Sequence, residues 1–311
     1  MSNTVLVASL FPNPFLHASK RAALLAVGFN CRKIEFLSVI KSGEKRNSPP
    51  PISSRQSEED MDSLARSMVE VKTESAAATI LYGMCSSARF DFGGLHESAC
   101  KRANEIAPTL IVIGWQSHPW WPVLHNFNLI HGISRSSLKP VLLVRREPRK
   151  SYSHAVFLWD ESSALPDMLE VMARLLPYAR ITIVHAYHLP GEGQMRTAGV
   201  RNGAIDMVRD GVEDDIRQGY ARILEESGID RSRFSLTLLP KPAGVSVAHY
   251  VETTGADLLI LSDRRRWLVD EWCWQSRTRD LMSKTSADIL MLDLPRKRIG
   301  PRLPERGPTT D

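Results

Sequence analysis

The sequence predicts an α/β fold in which one domain, a parallel sheet with helices on its faces, occurs twice. The first observation is a repeat: residues 108–114 (PTLIVIG) correspond to 256–262 (ADLLILS), an offset of 148. At the same offset, residues 140–144 (PVLLV) correspond to 288–292 (DILML). The second observation is that strand and helix patterns alternate in both copies. An offset of domain length excludes a solenoid, whose units run about 20–50 residues.

In the first half, short apolar runs alternate with stretches of helical pattern. We predict strands at residues 5–10, 34–40, 79–83, 110–113 and 141–144, and helices at 15–29, 61–74 and 96–106. Residues 42–60 are rich in serine, proline and charge, and include three consecutive prolines, which predicts a flexible loop.

The second half repeats this order with clearer signals. We predict strands at residues 155–159, 181–186, 234–239, 258–261 and 289–292. Leu165, Leu169, Met172 and Leu176 recur at helical spacing and give one buried stripe. A glycine-rich loop at 190–203 precedes a long charged helix that ends near Gly228, and another helix follows at 245–254. Residues 5–10 align with 155–160, and 34–40 with 181–187, so small length differences fall in loops.

Length and composition agree with two soluble domains. The chain has 311 residues, with 43% hydrophobic and 24% charged residues. No apolar run approaches the ~20 residues that cross a bilayer, and no secretory signal opens the chain, so we expect a cytoplasmic protein. Four scattered cysteines predict reduced thiols rather than a disulfide frame. We expect domains at 1–147 and 151–294.

The basic charge of the chain is concentrated in its last segment. Residues 295–311 carry five basic and two acidic residues, which is +3 of the total of +5. Four prolines in this segment predict a disordered tail. The remaining charge of about +2 is too small to indicate a nucleic-acid surface on the fold itself.

The repeated unit resembles the universal stress protein family in its tandem two-domain form. The resemblance covers about residues 3–145 and 153–294 and is carried best by 155–162 (AVFLWDES), 256–261 (ADLLIL) and a predicted helix at 276–284. It implies two doubly wound, Rossmann-like sheets of five parallel strands, of the adenine-nucleotide-hydrolase type. It also implies that the halves pack about a pseudo-two-fold axis, and that a homodimer is possible because the last strand often pairs with a second copy.

The resemblance also implies where a nucleotide would bind. Nucleotide-binding members carry Gly-x-x-Gly, nine residues, then Gly-Ser or Gly-Thr, because glycines let backbone N–H groups approach phosphates. An Asp after the first strand holds the adenosine end. The corresponding candidates in the second half are Asp160, Ser162, Ala186, Ser262, Arg265, Gln275 and Ser276. In the first half, Gly114 is kept, but Ser117, Phe127, Asn128 and Leu10 stand at the other positions.

The spacing of this motif survives while its glycines do not. We therefore expect a degenerate ATP motif, no cofactor, and a non-catalytic stress-response protein that acts by binding. One alternative is a sensor that binds ATP or AMP in the second half, with Arg265 supplying charge in place of the glycine cradle. Another is slow nucleotide hydrolysis, for which no catalytic base can be named.

The altered loops are rich in tryptophan. Six of the seven tryptophans lie in them: Trp115, Trp120, Trp121, Trp267, Trp272 and Trp274. We favour packing that plugs the site or seals the halves together over a pocket for a small apolar ligand or an unknown protein. His118, His125 and His131 match no metal-ligand spacing, so no metal site is predicted.

Overall fold

The computed structural model describes residues 4–11, 16–40, 83–116, 122–159, 165–187, 189–240, 243–262 and 279–292, with scattered residues between 65 and 81. The strands are β1 Thr4–Phe11, β2 Lys33–Ile40, β3 Cys85–Phe92, β4 Leu110–Gly114, β5 Val141–Val144, β6 His154–Trp159, β7 Arg180–Tyr187, β8 Phe234–Pro240, β9 Leu258–Ser262 and β10 Asp288–Leu292. The helices are α1 Leu16–Gly28, α2 Leu95–Ile106, α3 Pro122–Ser137, α4 Leu165–Leu175, α5 Glu192–Thr197, α6 Asn202–Ser227 and α7 Ala243–Thr253.

All ten strands form one continuous sheet in the order β3-β2-β1-β4-β5-β10-β9-β6-β7-β8. Each half is parallel throughout and follows the doubly wound order that the sequence predicts. The halves join where β10 pairs antiparallel with β5, Leu290 opposite Leu142. The predicted pair of five-stranded parallel sheets is therefore confirmed, with the two sheets fused edge to edge.

Strand register confirms the sequence alignment of the two copies. Val5 in β1 pairs with Ile34 in β2 and with Leu110 in β4. Ala155 in β6 pairs with Ile181 in β7 and with Leu258 in β9, the residues that the alignment matches to them. The length differences between the copies therefore lie outside the paired strands.

Two elements of the first half differ from their prediction. The strand expected at residues 79–83 is wrong, because Leu81 is helical and the strand runs from Cys85 to Phe92. Helix α3 was not predicted. The edge strand β3 is partly exposed on both faces and lacks an apolar run, whereas residues 79–83 carry β-branched and aromatic side chains. The predicted loop at 42–60 lies outside the described residues.

Two apolar clusters, one on each face of the sheet, form the core. On one face, α1, α4 and α6 cover Phe36 and Phe157, and on the other α2, α3 and α7 cover Leu6 and Ile111. Each cluster contains residues of both halves, so the core continues across the β5–β10 junction. Among the described residues, no helix has both the length and the apolar character to cross a membrane.

A buried carboxylate lies at the junction of the two halves. Asp288 opens β10 and is almost completely buried. Its Oδ1 accepts hydrogen bonds from the backbone N–H groups of Arg145 (2.7 Å) and Arg146 (3.3 Å), and its Oδ2 accepts one from the Tyr152 hydroxyl (2.6 Å). Arg21 of α1 lies 3.4 Å from Oδ2 and completes an ion pair. We call these residues the junction network.

The cation of the junction network, Arg21, is also held by packing. The Arg21 guanidinium lies 3.9 Å from the centroid of the Tyr152 ring and donates to the carbonyl of Lys150 (2.8 Å). Burial and the Asp288 carboxylate raise the pKa of Tyr152 well above its ordinary value. The hydroxyl therefore keeps its proton and remains a donor to Asp288.

Removing the Tyr152 hydroxyl tests the junction network. We expect Tyr152→Phe to lower the free energy of unfolding by about 1.5–3 kcal/mol, because Asp288 loses a hydrogen bond to a buried charge. Tyr178→Phe is the control, since Tyr178 is 71% exposed and should change stability by less than about 0.5 kcal/mol. Chemical denaturation measures both. Equal effects of the two variants would contradict the assigned role of the hydroxyl.

Three helical glycines provide a second test of packing. A Cβ built on Gly211 or Gly219 of α6 meets nothing within 4 Å, so alanine at either position should stabilise the fold by about 0.5–1 kcal/mol. A Cβ on Gly132 of α3 would lie 3.0 Å from two ring atoms of His96. Gly132→Ala should therefore destabilise by about 1 kcal/mol despite the better helix propensity. Thermal denaturation distinguishes the two signs, and stabilisation by all three substitutions would disprove the close α2–α3 contact.

Candidate functional site

The two places where a doubly wound sheet binds ligands lie on opposite edges of this molecule. Ligands bind at the carboxyl ends of the strands, where the strand order reverses. These points fall between β1 and β4 in the first half and between β6 and β9 in the second. Because β5 and β10 are antiparallel, the carboxyl ends of the two halves face in opposite directions. Each candidate site must therefore be assembled from its own half.

In the first half, the chain that leaves β4 is fixed by a buried amide. Asn126 of α3 is completely buried, and its Oδ1 accepts a hydrogen bond from the backbone N–H of Gln116 (2.8 Å). Its Nδ2 donates to the carbonyls of Gln116 (2.7 Å) and Pro122 (2.8 Å). The Gln116 side chain donates to the carbonyl of Gly114 (2.8 Å). We call this arrangement the amide clasp.

The amide clasp occupies the backbone N–H group of Gln116, a hydrogen-bond donor that an anion bound here would need. A phosphate-binding loop offers free backbone N–H groups to the ligand. Here the N–H of Gln116 is bonded to Asn126, and the N–H of Trp115 is bonded to the carbonyl of Val144 (2.8 Å). Both amides that directly follow Gly114 are therefore satisfied inside the protein.

Helix α3 places a large side chain, Phe127, at a position where the nucleotide-binding motif has glycine. It begins at Pro122, so Phe127 and Asn128 lie beyond its first turn rather than in a loop before it. Phe127 is 1% exposed and packs in the core, with its ring 5.4 Å from that of His131. Asn128 is exposed. Ser117, at another predicted glycine position, lies outside the described residues.

Trp115 packs at the junction of the two halves. The Arg145 guanidinium lies 4.5 Å from the centroid of its indole ring. Nη1 of Arg145 also donates to the carbonyls of Met282 (3.0 Å) and Thr285, at the end of the helical residues 279–284. A cation is favourable at a helix carboxyl end. Arg145 thus connects Trp115 to the second half, and the sealing of the halves by tryptophan stays a prediction. Trp120, Trp121, Trp267, Trp272 and Trp274 lie outside the described residues.

In the second half, two of the seven candidate residues are described. Ser262 ends β9 and Ala186 lies next to the end of β7, and both are half-buried. Strand β6 lies between β7 and β9, so the structure does not bring these two residues side by side. Asp160 and Ser162 follow β6 in the sequence. The remaining candidates lie outside the described residues: Asp160, Ser162, Arg265, Gln275 and Ser276.

The end of β6 carries a buried aromatic pair. Trp159 and His185 are paired across β6 and β7, with ring centroids 4.7 Å apart. Nδ1 of His185 lies 3.2 Å from the carbonyl oxygen of Trp159. A carbonyl can only accept, so Nδ1 carries the proton. His185 is therefore a hydrogen-bonded core residue, and the register of the first half places Ser9 and Ser38 at the matching positions.

Beside this pair, a polar chain attaches α6 to β7. The Tyr187 hydroxyl donates to Glu213 (2.5 Å), and Arg209 contacts Glu192 of α5 (3.3 Å). Burial and the Glu213 carboxylate raise the pKa of Tyr187 to about 12, so the hydroxyl remains a donor. Among the described residues, no group of three His, Cys, Asp or Glu side chains could hold a metal ion.

Comparison with solved structures identifies the fold. A universal stress protein from Archaeoglobus fulgidus superposes with a TM-score of 0.63 at 12% identity, over 94% of this chain and 99% of that one. A candidate universal stress protein from Pseudomonas aeruginosa gives 0.56 at 13% identity, over 93% and 92%. A protein of unknown function from the same species gives 0.57 at 12% identity, over 93% and 92%. The chain has the fold of the tandem universal stress proteins.

Sequence comparison adds nothing to this result. No protein-family model matches the chain, and no curated protein matches it. At 12–13% identity, the likeness to solved structures shows the tandem universal stress protein fold alone. What this fold does here must be argued from its own residues.

Sequence reasoning missed Asn126 and Gln116, the two residues that decide the geometry after β4. The available signal was an asparagine among apolar residues at helical spacing, Val123, Phe127 and Ile130. A polar residue on the inward face of a helix must find partners. The partner ten residues upstream could not be identified without the three-dimensional fold.

Breaking the amide clasp should cost stability. We expect Asn126→Ala to lower the free energy of unfolding by about 3 kcal/mol, because two carbonyls and one N–H group lose their partner in a buried place. Asn128→Ala, two residues further along the same helix and exposed, should change it by less than about 0.5 kcal/mol. Urea denaturation gives both values. If Asn126→Ala were as mild as Asn128→Ala, the clasp would not be contributing to the stability of the fold.

Proposed function

We propose that this chain is a tandem universal stress protein that acts in the cytoplasm by binding rather than by catalysis. The domain ranges 1–147 and 151–294, followed by a basic tail at 295–311, belong to the same proposal. The full-length superposition on tandem universal stress proteins supports it. The sequence resemblance at residues 155–162 and 256–261 points to the same family.

The amide clasp is the main support for the proposal that the first half does not bind a nucleotide. The backbone N–H groups of Trp115 and Gln116 are bonded inside the protein, so they are not free to bind a phosphate. Phe127, at a position where the motif has glycine, packs in the core. Leu10 supplies no carboxylate at the end of β1. These contacts support the proposal that the ATP motif of the first half is degenerate.

A second candidate function belongs to the second half. There, Asp160 and Ser162 follow β6, and Ser262 and Ala186 are half-buried at the carboxyl ends of the flanking strands. An Asp and a serine hydroxyl at this point fit the ribose end of a nucleotide. Arg265, at a glycine position, offers side-chain charge to a phosphate. We therefore assign the alternative function, an ATP- or AMP-binding sensor, to this half, with Gln275 and Ser276 as the remaining candidate residues.

Thermal unfolding with nucleotide separates the two functions. For the binding protein without a nucleotide, we expect no shift with millimolar ATP and magnesium, or with AMP. A sensor would be stabilised by about 2.7 kcal/mol when the ligand is present at one hundred times its Kd. A shift of that size would contradict the proposal that the ATP motif of the second half is degenerate.

Two variants decide what a shift would mean. Asp160→Ala should abolish nucleotide stabilisation if this carboxylate holds the ligand, whereas Glu170→Ala, an exposed acid on α4, should preserve it. A shift that survives Asp160→Ala would place the nucleotide elsewhere on the molecule. Phosphate release above the buffer rate in the same samples would contradict the non-catalytic proposal.

A further inference from the structure

Strand β3 is one of the two edges of the continuous sheet. The last strands of the halves, β5 and β10, are paired with each other, so the sheet ends at β3 and at β8. In the part of the chain that the structure describes, β3 pairs with β2 alone. An edge strand offers its backbone N–H and C=O groups to a further strand. A further strand therefore adds to this sheet at β3 or β8, and not at β5 or β10.

Alternate residues of β3 direct their backbone groups away from β2. The N–H groups of Cys85 and Gly93 both donate, at 3.0 Å, to backbone carbonyls of β2 or of the residue before it. The odd-numbered residues of β3 therefore bond to β2, and the even-numbered residues face the open side. On that side, the backbone groups of Ala88 and Phe90 have no partner among the described residues.

The side chains of β3 divide into an apolar face and a charged face. Ala88 and Phe90 pack against the core cluster that α1, α4 and α6 cover. Phe92 follows on the same face and is 61% exposed. The opposite face carries Arg89, whose side chain is 59% exposed, and Asp91. The edge therefore presents one exposed aromatic ring and two opposite charges.

These charges match when two copies of β3 pair antiparallel with Phe90 at the centre. In this register Phe90 lies opposite Phe90 of the second copy, and Arg89 lies opposite Asp91 on both sides of the centre. Moving the centre by one residue places Arg89 opposite Arg89, or Asp91 opposite Asp91, and like charges directly opposite are destabilising. The charges thus specify a single register.

We propose that two copies of this chain associate through β3 as an antiparallel pair centred on Phe90. Phe90 faces the open side, so the two central residues exchange both of their backbone hydrogen bonds. Ala88 lies opposite Phe92, so the small side chain leaves room for the exposed ring. The pair is related by a two-fold axis, and it therefore closes with two copies.

One contact inside β3 changes when the pair forms. The N–H of Phe92 faces the open side, and Oδ1 of Asp91 accepts its hydrogen bond (2.9 Å). In the pair this N–H donates to a carbonyl of the second copy, and the Asp91 carboxylate turns to Arg89. Arg89 is available for it, because its contact with Glu35 is long (3.9 Å) and Arg102 already binds that carboxylate through two nitrogen atoms.

The other edge strand, β8, lacks this complementarity. Residues 234–240 read FSLTLLP and carry no charge, so no charge pair specifies a register there. Pro240 also removes one backbone donor at the end of the strand. Pairing of β3 with β8 of another copy would be head-to-tail, and such contacts generate growing assemblies rather than dimers.

Sedimentation of the full-length chain tests the proposal. We expect the wild type to reach a mass of about 70 kDa, twice the chain mass of 34.9 kDa, as its concentration is raised. A wild type that stays monomeric at millimolar concentration would overturn the proposal. A mass that continues to grow beyond the dimer would show head-to-tail pairing and would overturn it equally.

Two charge reversals and a matched control identify the interface. Arg89→Glu and Asp91→Arg should each raise the dissociation constant of the dimer by about tenfold or more, because attraction at both charge pairs becomes repulsion. Arg231→Glu makes the same charge change at an exposed position away from β3 and should leave the constant unchanged. A dimer that tolerates Arg89→Glu as well as Arg231→Glu would use another surface, and the proposal would be wrong.

Mixing the two charge-reversal variants tests the register itself. An equimolar mixture of Arg89→Glu and Asp91→Arg should dimerise again, because opposite charges then face each other at both positions. Association of the mixture also shows that both variants are folded. Variants that keep the circular dichroism spectrum of the wild type and yet fail to associate on mixing would exclude the register centred on Phe90.

Discussion

The fold of this chain depends on how one buried carboxylate, Asp288, is satisfied at the junction of the two halves. A buried charge is costly unless it is paired and hydrogen-bonded. Asp288 receives two backbone N–H groups from the end of β5, the Tyr152 hydroxyl from the connection, and the charge of Arg21 from α1. These donors come from three separate stretches of the first half and connection. The carboxylate can be satisfied only when the antiparallel β5–β10 pair is in register, so the network makes that register specific.

The buried polar positions inside each half show what duplication preserved. Glu35 in β2 is buried and bonded to Arg102 of α2 and to Ser87 of β3 (3.3 Å). Burial alone would raise the pKa of Glu35, but Arg102, together with Lys33 and Ser87, lowers the pKa, so the carboxylate stays ionised. The matching residue of the second half is Thr182, which is bonded to His154 (3.0 Å) and Ser235 (3.2 Å). Both halves therefore hold a buried polar group between the same two strands, in an ion pair in the first half and in neutral hydrogen bonds in the second.

The burial of each strand determines how clearly it could be predicted from the sequence. Strands such as residues 110–113 and 258–261 are buried on both faces, so each appears as an apolar run, and the repeat confirmed them twice. Edge strand β3 is partly exposed and carries Ser86, Ser87 and Arg89, so no such run marks it. The amide clasp joins Gln116 to Asn126, ten residues apart, and local periodicity holds no information about such a pairing. Positions 117 and 127 could be located from Gly114 by the spacing of the motif, but the contacts of Phe127 and of the amides after Gly114 required the fold.

The first half stabilises the second half through the contacts at their junction. A strand at the edge of a sheet exposes unpaired backbone groups and invites association. Strand β5 covers the edge of β10, and Arg145 connects the two halves through Trp115, Met282 and Thr285. Trp115 directly follows Gly114 and packs against Arg145, the residue that bonds to the second half. The first half is therefore the structural partner of the second half at the β5–β10 edge.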